Sequence, residues 1–265
     1  MILDQLVAAT TKRVAQAKQQ LPLEKLKQQV AKLPISDERP FEKALSGNGM
    51  HIIAEVKKAS PSKGVIAKDF PYLKIAQDYE EAGANAISVL TEPDYFQGSL
   101  EYLRQIANKV QTPLLRKDFV IDEYMLYEAK LAGAAAVLLI VKILTDQQLQ
   151  AYLTLANQLG LSALVEAHNE DEIDRAVKAH ARIIGVNNRN LNDFSVNFNN
   201  SEQLRKLVPQ DCIFVAESGV KSGDDTAKLR QNGINVALVG ETLMKSPNKL
   251  ETMRQLKGRV AVDQS

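Results

Sequence analysis

The chain has 265 residues, 45% of them hydrophobic, enough to bury a large core either as two small domains or as one α/β barrel of about 250 residues. Lys plus Arg number 33 against 32 Asp plus Glu; this balance leaves no basic footprint for nucleic acid or an anionic membrane, so any anion site must be local. One cysteine, Cys212, excludes an internal disulfide and fits a reducing cytoplasm, while His51, His168 and His180 are scattered without ligand spacing and argue against a zinc site.

The first residues, MILDQLVAATTKRV, lack the charged-then-apolar pattern of an export signal. The longest apolar run, Ala132 to Val141, is too short to span a bilayer. A cytoplasmic protein is expected. Residues 1–47 read as an extension of two helices, roughly Leu3 to Gln19 and Leu23 to Leu33, with Leu3, Leu6, Val7 and Val14 spaced for one apolar stripe. Leu33-Pro34 and the Gly47-Asn48-Gly49 turn separate it from the rest. It either packs against the main unit, residues 48–265, or covers an active-site mouth, and its removal is expected to leave a folded main unit that binds substrate more weakly.

From residue 51 onward, short β-branched or apolar runs alternate with helical segments: Ile52 to Val56, Ala86 to Leu90, Pro113 to Leu115, Ala135 to Ile140, Ala163 to Val165, Ile183 to Val186, Ile213 to Ala216 and Val236 to Val239. Gly83, Gly133, Gly160 and Gly233 stand where helices must turn into the next strand. Thr145 and Asn169 are candidate N-caps, each with Gln148 or Glu172 three residues on. Repeated strand–helix units require parallel pairing with right-handed crossovers, and eight of them close naturally into a (β/α)8 barrel. A doubly wound open sheet is the alternative; it is disfavoured because no G-x-G-x-x-G follows any strand.

In such a barrel the active site lies at the carboxyl ends of the strands. Those ends are polar here. Strand one closes with Glu55 and Lys57, strand three with Arg116-Lys117-Asp118-Phe119, strand four with Lys142, strand five with Glu166, strand six with Asn187-Asn188-Arg189 and strand seven with Glu217-Ser218-Gly219. Side-chain alternation points Glu55, Lys57, Lys117, Glu166 and Glu217 inward. Converging acids and bases shift one another's pKa values and suit proton transfer. Three carboxylates also suit Mg²⁺, but the interleaved lysines already neutralise them, so no metal is expected. Gly219 and Gly240, after the last two strands, stand where this fold cradles phosphate, and a phosphate ester is the expected handle of the substrate.

Taken together, AEVKKASPSKG, LTEPDYFQGS, LLRKDFVID, LVEAHN, GVNNRNL, AESGV and LVGETLM resemble the indole-3-glycerol-phosphate synthase family from about residue 51 to 245, and the two-helix extension is also similar to that family's. The resemblance implies closure of the indole ring of 1-(2-carboxyphenylamino)-1-deoxyribulose 5-phosphate with loss of CO2 and water in tryptophan biosynthesis, without a cofactor. It implies that Lys117 acts as general acid on the ketone and that Glu166 holds or exchanges a proton. Lys57 meets the substrate carboxylate or assists water loss, with Glu55 positioning it. Asn187 and Arg189 contact sugar hydroxyls and anionic ends, Glu217 and Ser218 border the phosphate, and Ser60, Gly219, Gly240 and Glu241 complete the anion cradle. Phe96 and Phe119 wall the anthranilate ring. The implied partners are a small phosphorylated substrate and other tryptophan-pathway enzymes.

Two rivals differ in their residues. A phosphoribosylanthranilate isomerase shares the barrel but uses a cysteine base at the end of strand one, where this chain has Glu55-Val56-Lys57; Cys212 begins strand seven at the opposite face. A barrel that binds a phosphorylated ligand without turnover has no need of every proton-transfer group.

Overall fold

A computed structural model describes residues 2–35, 37–190 and 194–258. The end of the main unit, residues 259–265, and Leu191 of the GVNNRNL stretch lie outside the described residues.

Three helices precede the first strand: α1 (Ile2–Gln20), α2 (Leu23–Val30) and α3 (Pro40–Ala44). The barrel strands are β1 (His51–Val56), β2 (Ala86–Leu90), β3 (Leu114–Lys117), β4 (Ala136–Ile140), β5 (Ser162–Ala167), β6 (Ile183–Asn187), β7 (Ile213–Glu217) and β8 (Val236–Val239). All pair in parallel, each with its neighbours in sequence, and β1 closes the ring on β8 with His51 opposite Val236 and Ala54 opposite Val239. Between them run α4 (Tyr72–Glu81), α5 (Pro93–Phe96), α6 (Leu100–Ala107), α7 (Glu123–Leu131), α8 (Asp146–Gln158), α9 (Glu170–Lys178), α10 (Asn199–Leu204) and α11 (Gly223–Gln231), and α12 (Glu241–Lys245) and α13 (Lys249–Leu256) follow β8. This is a (β/α)8 barrel. None of the described helices is long and apolar enough to cross a membrane.

Strand parity divides the buried residues into two layers. Ile52, Ala54 and Val56 of β1 face the helices, as do Val137, Leu139, Val165 and Ile184. Ile53, Leu115, Leu138, Leu164, Val215 and Leu238 fill the barrel interior. The same parity sends Glu55, Lys117, Glu166, Asn187 and Glu217 into the interior one layer above, at the carboxyl ends. There the apolar packing stops and the chemistry begins.

The extension closes both ends of the barrel rather than one. Leu3 and Leu6 of α1 join the interior cluster beside Phe119 and Ile140. At the other end Phe41 and Leu45 enter the same cluster, and Glu42 of α3 accepts hydrogen bonds from Ser162 Oγ (3.1 Å) and Arg182 Nη2 (2.9 Å), at the amino ends of β5 and β6. The short α3 has no amphipathic repeat long enough to mark it in the sequence. Its only local signals are Pro40 at its first turn and the apolar Phe41.

Several element bounds depart from the sequence expectation. α2 stops at Val30, three residues early, because Pro34 disfavours helix in the residue before it and the chain turns out from Ala31. β3 starts at Leu114 and extends through Lys117, so the charged residues belong to the strand itself. The polar loop after β1 folds into a small antiparallel hairpin pairing Ala59 with Val65 and Ser60 with Gly64. Thr145 and Gln148 form the expected reciprocal cap. Asn169 caps α9, but Glu172 turns back to the N–H of His168, 2.8 Å away, instead of completing the box. Gly83, Gly133, Gly160 and Gly233 all adopt positive φ at helix ends. After α9 that left-handed position is held by His180 at φ 58°.

Candidate active site

The carboxyl ends of the strands and the loops that follow enclose a cavity of about 910 Å3. Glu55, Lys57, Ser60, Phe96, Lys117, Phe119, Glu166, Asn187, Arg189, Glu217, Ser218, Gly219, Gly240 and Glu241 all line it. Lys142 does not; it sits on a 3₁₀ turn after β4 with its side chain exposed.

Lys117 occupies the centre of the floor. Its Nζ lies 3.1 Å from Glu217 Oε2 and 3.4 Å from Glu166 Oε2. Lys57 Nζ contacts Glu55 Oε1 from the end of β1. Asn187 Nδ2 reaches Glu166 Oε1 at 3.4 Å, and Asn187 Oδ1 accepts from Ser218 Oγ (2.9 Å) and the Arg189 N–H (3.0 Å). The Arg189 guanidinium is tied at 3.0 Å to the carbonyl of Phe194, which fixes the rim of that loop. Glu217 stands on the floor against Lys117, inward as side-chain alternation predicts, because it shares parity with the interior Val215. Room for its carboxylate comes from Gly185 on β6, where a Cβ would fall 2.3 Å from Glu217 Oε1.

The apolar wall has its own supports. Phe96 and Phe119 face each other with ring centroids 6.1 Å apart. Phe96 is set by the buried carboxylate of Glu92, which caps α5 by accepting from the N–H groups of Asp94, Tyr95 and Phe96 at 3.0, 2.8 and 3.0 Å. Phe119 is set by Asp118, whose Oδ1 accepts its N–H at 2.9 Å. Asp118 in turn is held by Arg116 Nη2 (3.2 Å), by Thr91 Oγ1 (2.5 Å) and by Arg13 Nη2 (2.7 Å) of α1. Arg13 carries no sequence signal for this contact, since it reaches across 105 residues.

The rim differs from the floor. Ser218 and Gly219, which both line the cavity, adopt positive φ, 65° and 93°, an uncommon conformation for serine. At Gly240, which opens α12, a Cβ would lie 2.5 Å from Glu55 Oε1 and 2.9 Å from Lys57 Nζ, so any side chain there would have to push that ion pair aside. The Glu241 carboxylate pairs with Lys245 (2.7 Å) and Lys63 (3.8 Å). Lys63 and Lys221, which the motifs did not single out, add positive charge to the same rim.

Electrostatics follows from these contacts. Three carboxylates, Glu55, Glu166 and Glu217, meet two ammonium groups, Lys57 and Lys117, so full ionisation leaves one excess negative charge on the floor. Burial acts first on each carboxyl and pushes it up. For Glu55, Lys57 and then Lys117 outweigh burial and hold the carboxyl below its ordinary range. For Glu166, Lys117 and then His168 do the same. Glu217 gains least: burial wins, the charges of Glu166 and Glu55 add to it, and its carboxyl is pushed up toward neutral pH. Lys117 loses to burial but gains more from Glu217, Glu166 and Glu55, and stays firmly charged. The arrangement can therefore offer a fixed cation to a developing oxyanion beside both an ionised and a protonatable carboxyl.

His168, set aside on spacing, is the principal residue that the sequence reading missed. It stands behind Glu166, with Nδ1 3.0 Å from Glu172 Oε2 and Nε2 3.2 Å from Glu166 Oε1. The signal was present as E-x-H-x-x-x-E, which sets one strand end against the first turn of the next helix.

Comparison with known proteins finds relatives along nearly the whole chain. The family model described as "Indole-3-glycerol phosphate synthase" matches residues 3–256. Proteins of that name from Leuconostoc mesenteroides and Lacticaseibacillus paracasei are 55% and 56% identical, over 97% and 98% of this chain and 99% and 100% of theirs. One from Acetivibrio thermocellus is 44% identical over 97% of this chain and 99% of its own. Among solved structures, 3-hexulose-6-phosphate synthase from Salmonella typhimurium superposes with a TM-score of 0.64 over 79% of this chain and 98% of its own, at 13% identity, a likeness of fold alone.

Proposed function

The chain belongs to the indole-3-glycerol phosphate synthase family, decarboxylating lyases of tryptophan biosynthesis, and we propose that the charged floor described above closes the indole ring of 1-(2-carboxyphenylamino)-1-deoxyribulose 5-phosphate. The observation that carries this assignment of roles is Lys117 Nζ, held between Glu217 and Glu166 beneath the Phe96–Phe119 wall.

The phosphate sits at the rim, against the backbone of Ser218, Gly219, Gly240 and Glu241 and beside Ser60. Arg189 and Lys63 balance its charge. The anthranilate ring lies along Phe96 and Phe119, with its carboxylate toward Lys57. The ring carbon that bears the carboxylate then attacks the ketone carbon, and the carbonyl electron pair moves to oxygen. Lys117 donates to that oxygen. Its ammonium is kept charged by three carboxylates, so it meets the oxyanion as a cation at the moment charge develops. The bond to the carboxylate breaks next, and its electron pair restores the aromatic ring as CO2 leaves. Desolvation against the aromatic wall favours this step.

Dehydration needs two further transfers. Lys57, positioned by Glu55, protonates the departing hydroxyl. Glu166, held ionised, takes the proton from the adjacent carbon next to nitrogen. Glu217 returns a proton to Lys117, and Asn187 orients both Glu166 and the sugar hydroxyls. Two protons are delivered and one is withdrawn, so each turnover consumes one solvent proton as the carboxylate leaves as neutral CO2. We further propose that residues 1–47 and 48–265 work as one unit, in the cytoplasm, beside other enzymes of the same pathway.

The test is to incubate the pure protein with the carboxyphenylamino substrate and follow indole fluorescence, to which a chain without tryptophan adds no indole background of its own. Wild type is expected to form product and Glu166→Gln to lose about 10² or more in kcat. Full activity in Glu166→Gln would remove Glu166 from the proposed role.

A further inference from the structure

His168 does not touch the cavity. It lies behind the floor, where the strand β5 that carries Glu166 passes into α9. Its ring is clamped between two buried carboxylates, Glu166 on the cavity side and Glu172 in the first turn of α9. The Nδ1 contact to Glu172 is a hydrogen bond of 3.0 Å, and the same Glu172 oxygen accepts the backbone N–H of His168 at 2.8 Å. The Nε2 contact to Glu166, 3.2 Å, has the distance of an ion pair without the alignment of a hydrogen bond.

A neutral imidazole has one donor and one acceptor nitrogen. Whichever tautomer it chose, one ring nitrogen would set an unprotonated lone pair, instead of a positive N–H, 3.0 or 3.2 Å from a buried carboxylate oxygen. Only the imidazolium, with an N–H on each side, suits both neighbours. The groups packed around the ring agree. Lys117, from β3, faces Glu166 from the far side at 3.4 Å, and Asn187, from β6, donates to the same carboxylate at 3.4 Å. Lys142, from the turn after β4, adds a distant positive charge that acts on Glu172. Asn200 of α10 donates to the backbone carbonyl of His168 at 3.3 Å and fixes the peptide rather than the ring. Burial opposes the charged ring, but Glu166 and Glu172 outweigh it and push its pKa up to about 10.

We propose that His168 is a positioning residue: as a permanent imidazolium braced by Glu172, it holds the Glu166 carboxylate ionised and aimed at Lys117 and the reacting carbon. The proposal rests on the role given above to Glu166. Without the cation behind it, Glu166 would keep Lys117 as its one charged partner, and that partner is shared with Glu217. A mispositioned proton acceptor costs up to about 10² in rate for a displacement near 1 Å.

The experiment compares wild type, His168→Gln, Glu172→Gln and Glu166→Gln by steady-state indole formation from pH 3.5 to 9, with thermal melts across that range to establish folding. It also records 15N shifts of His168 in the wild type at pH 7.5. Expected are imidazolium shifts for His168 and a fall of about 10- to 100-fold in kcat for His168→Gln at near-constant KM. The acid limb of its kcat profile should move to higher pH, because Glu166 takes up a proton more readily. Glu172→Gln, whose amide oxygen still accepts from Nδ1, should shift the profile in the same direction by less. Neutral-imidazole shifts at pH 7.5 overturn the proposal, whether or not His168→Gln folds. So does a folded His168→Gln or Glu172→Gln whose acid limb coincides with that of wild type. If Glu166→Gln is fully active, the role of Glu166 itself fails; if Glu166→Gln is inactive and His168→Gln is normal, only the bracing role of His168 fails.

Discussion

Lys117 and Lys57 end different strands and lean on different carboxylates, Lys117 on Glu217 and Glu166 and Lys57 on Glu55. An acid that meets an oxyanion acts only in the transition state, so Lys117→Met is expected to lower kcat and kcat/KM together, by about 10² to 10⁴, with little loss of affinity. Lys57→Met removes the group proposed also to grip the substrate carboxylate, so KM should rise while kcat falls. Steady-state rates with binding of a reduced, unreactive substrate analogue separate the two; loss of most affinity in Lys117→Met at near-normal turnover would reverse the assignment. Gly240 supplies a second residue-scale expectation. Its missing Cβ leaves room for the Glu55 carboxylate and the Lys57 ammonium, so Gly240→Ala must displace that ion pair as well as crowd the phosphate. It should behave like Lys57→Met, losing kcat and KM at once, whereas Gly219→Val, whose Cβ would strike Val196 and Phe198 on the loop rather than any charged group, should chiefly raise KM. Equal protection of wild type and Gly219→Val against heat by inorganic phosphate would show the cradle to lie elsewhere.

At the scale of elements, the extension is a structural part of the barrel rather than an appendage. Arg13 of α1 donates to Asp118 Oδ1 at 2.7 Å and to the Thr91 carbonyl at 3.1 Å, and Asp118 stands between Lys117 and Phe119. Removing a charged donor to a buried carboxylate costs about 2 kcal/mol, softened here because Arg116 still faces Asp118. Arg13→Met is therefore expected to fold, with a lowered melting temperature and a reduced kcat. A variant unchanged in both would mean that α1 does not help to set the floor. Deleting residues 1–21 should raise KM by removing Ile2 and Leu6 from the cavity lining. Deleting residues 1–46 should do worse than the weak binding expected from sequence, since it also takes Phe41 and Leu45 out of the barrel interior, and each large buried side chain is worth about 2 to 5 kcal/mol. Soluble, cooperatively melting protein from the longer deletion would contradict this. These elements also mark what was legible in the chain. The eight strands and the inward charges were readable because parity and apolar runs are local, and the four helix-end glycines because a left-handed residue has few substitutes. α3, the Arg13–Asp118 contact and the bracing of Glu166 by His168 were not. α3 is too short to show a period, the Arg13–Asp118 contact depends on which ends the closed barrel brings together, and His168, though local in E-x-H-x-x-x-E, is missed when histidines are read only for metal-ligand spacing.

For the molecule as a whole, the buried charges set a pH profile of stability with a definite sign. Glu55, Asp118, Glu166 and Glu172 have folded pKa values below those of free carboxyls: burial opposes them, but Lys57, Arg116, Lys117 and His168 respectively outweigh it. Such groups stabilise the fold above their unfolded pKa of about 4 and lose that contribution as pH falls through the folded values. His168 works in the opposite sense. Its folded pKa is raised to about 10, so its contribution is complete below the unfolded value near 6.5 and drains away as pH climbs between the two. Glu217, also raised, adds to the same alkaline loss, since it stabilises the fold while protonated and loses this as pH rises from about 4.3 toward neutrality. Lys117, raised above an unfolded value near 10.4, keeps its contribution through the whole window and tilts neither limb. The expected outcome is a maximum of unfolding free energy near pH 5 to 6, a steep acid limb below about pH 4, and a gradual decline from pH 6.5 to 9. Urea denaturation across that range measures it directly. His168→Gln should flatten the upper part of the decline, and Glu217→Gln the lower part. A wild-type curve that stays level or rises from pH 6.5 to 9 would mean that His168 is neutral in the folded protein and that Glu166 is held by Lys117 and Asn187 alone.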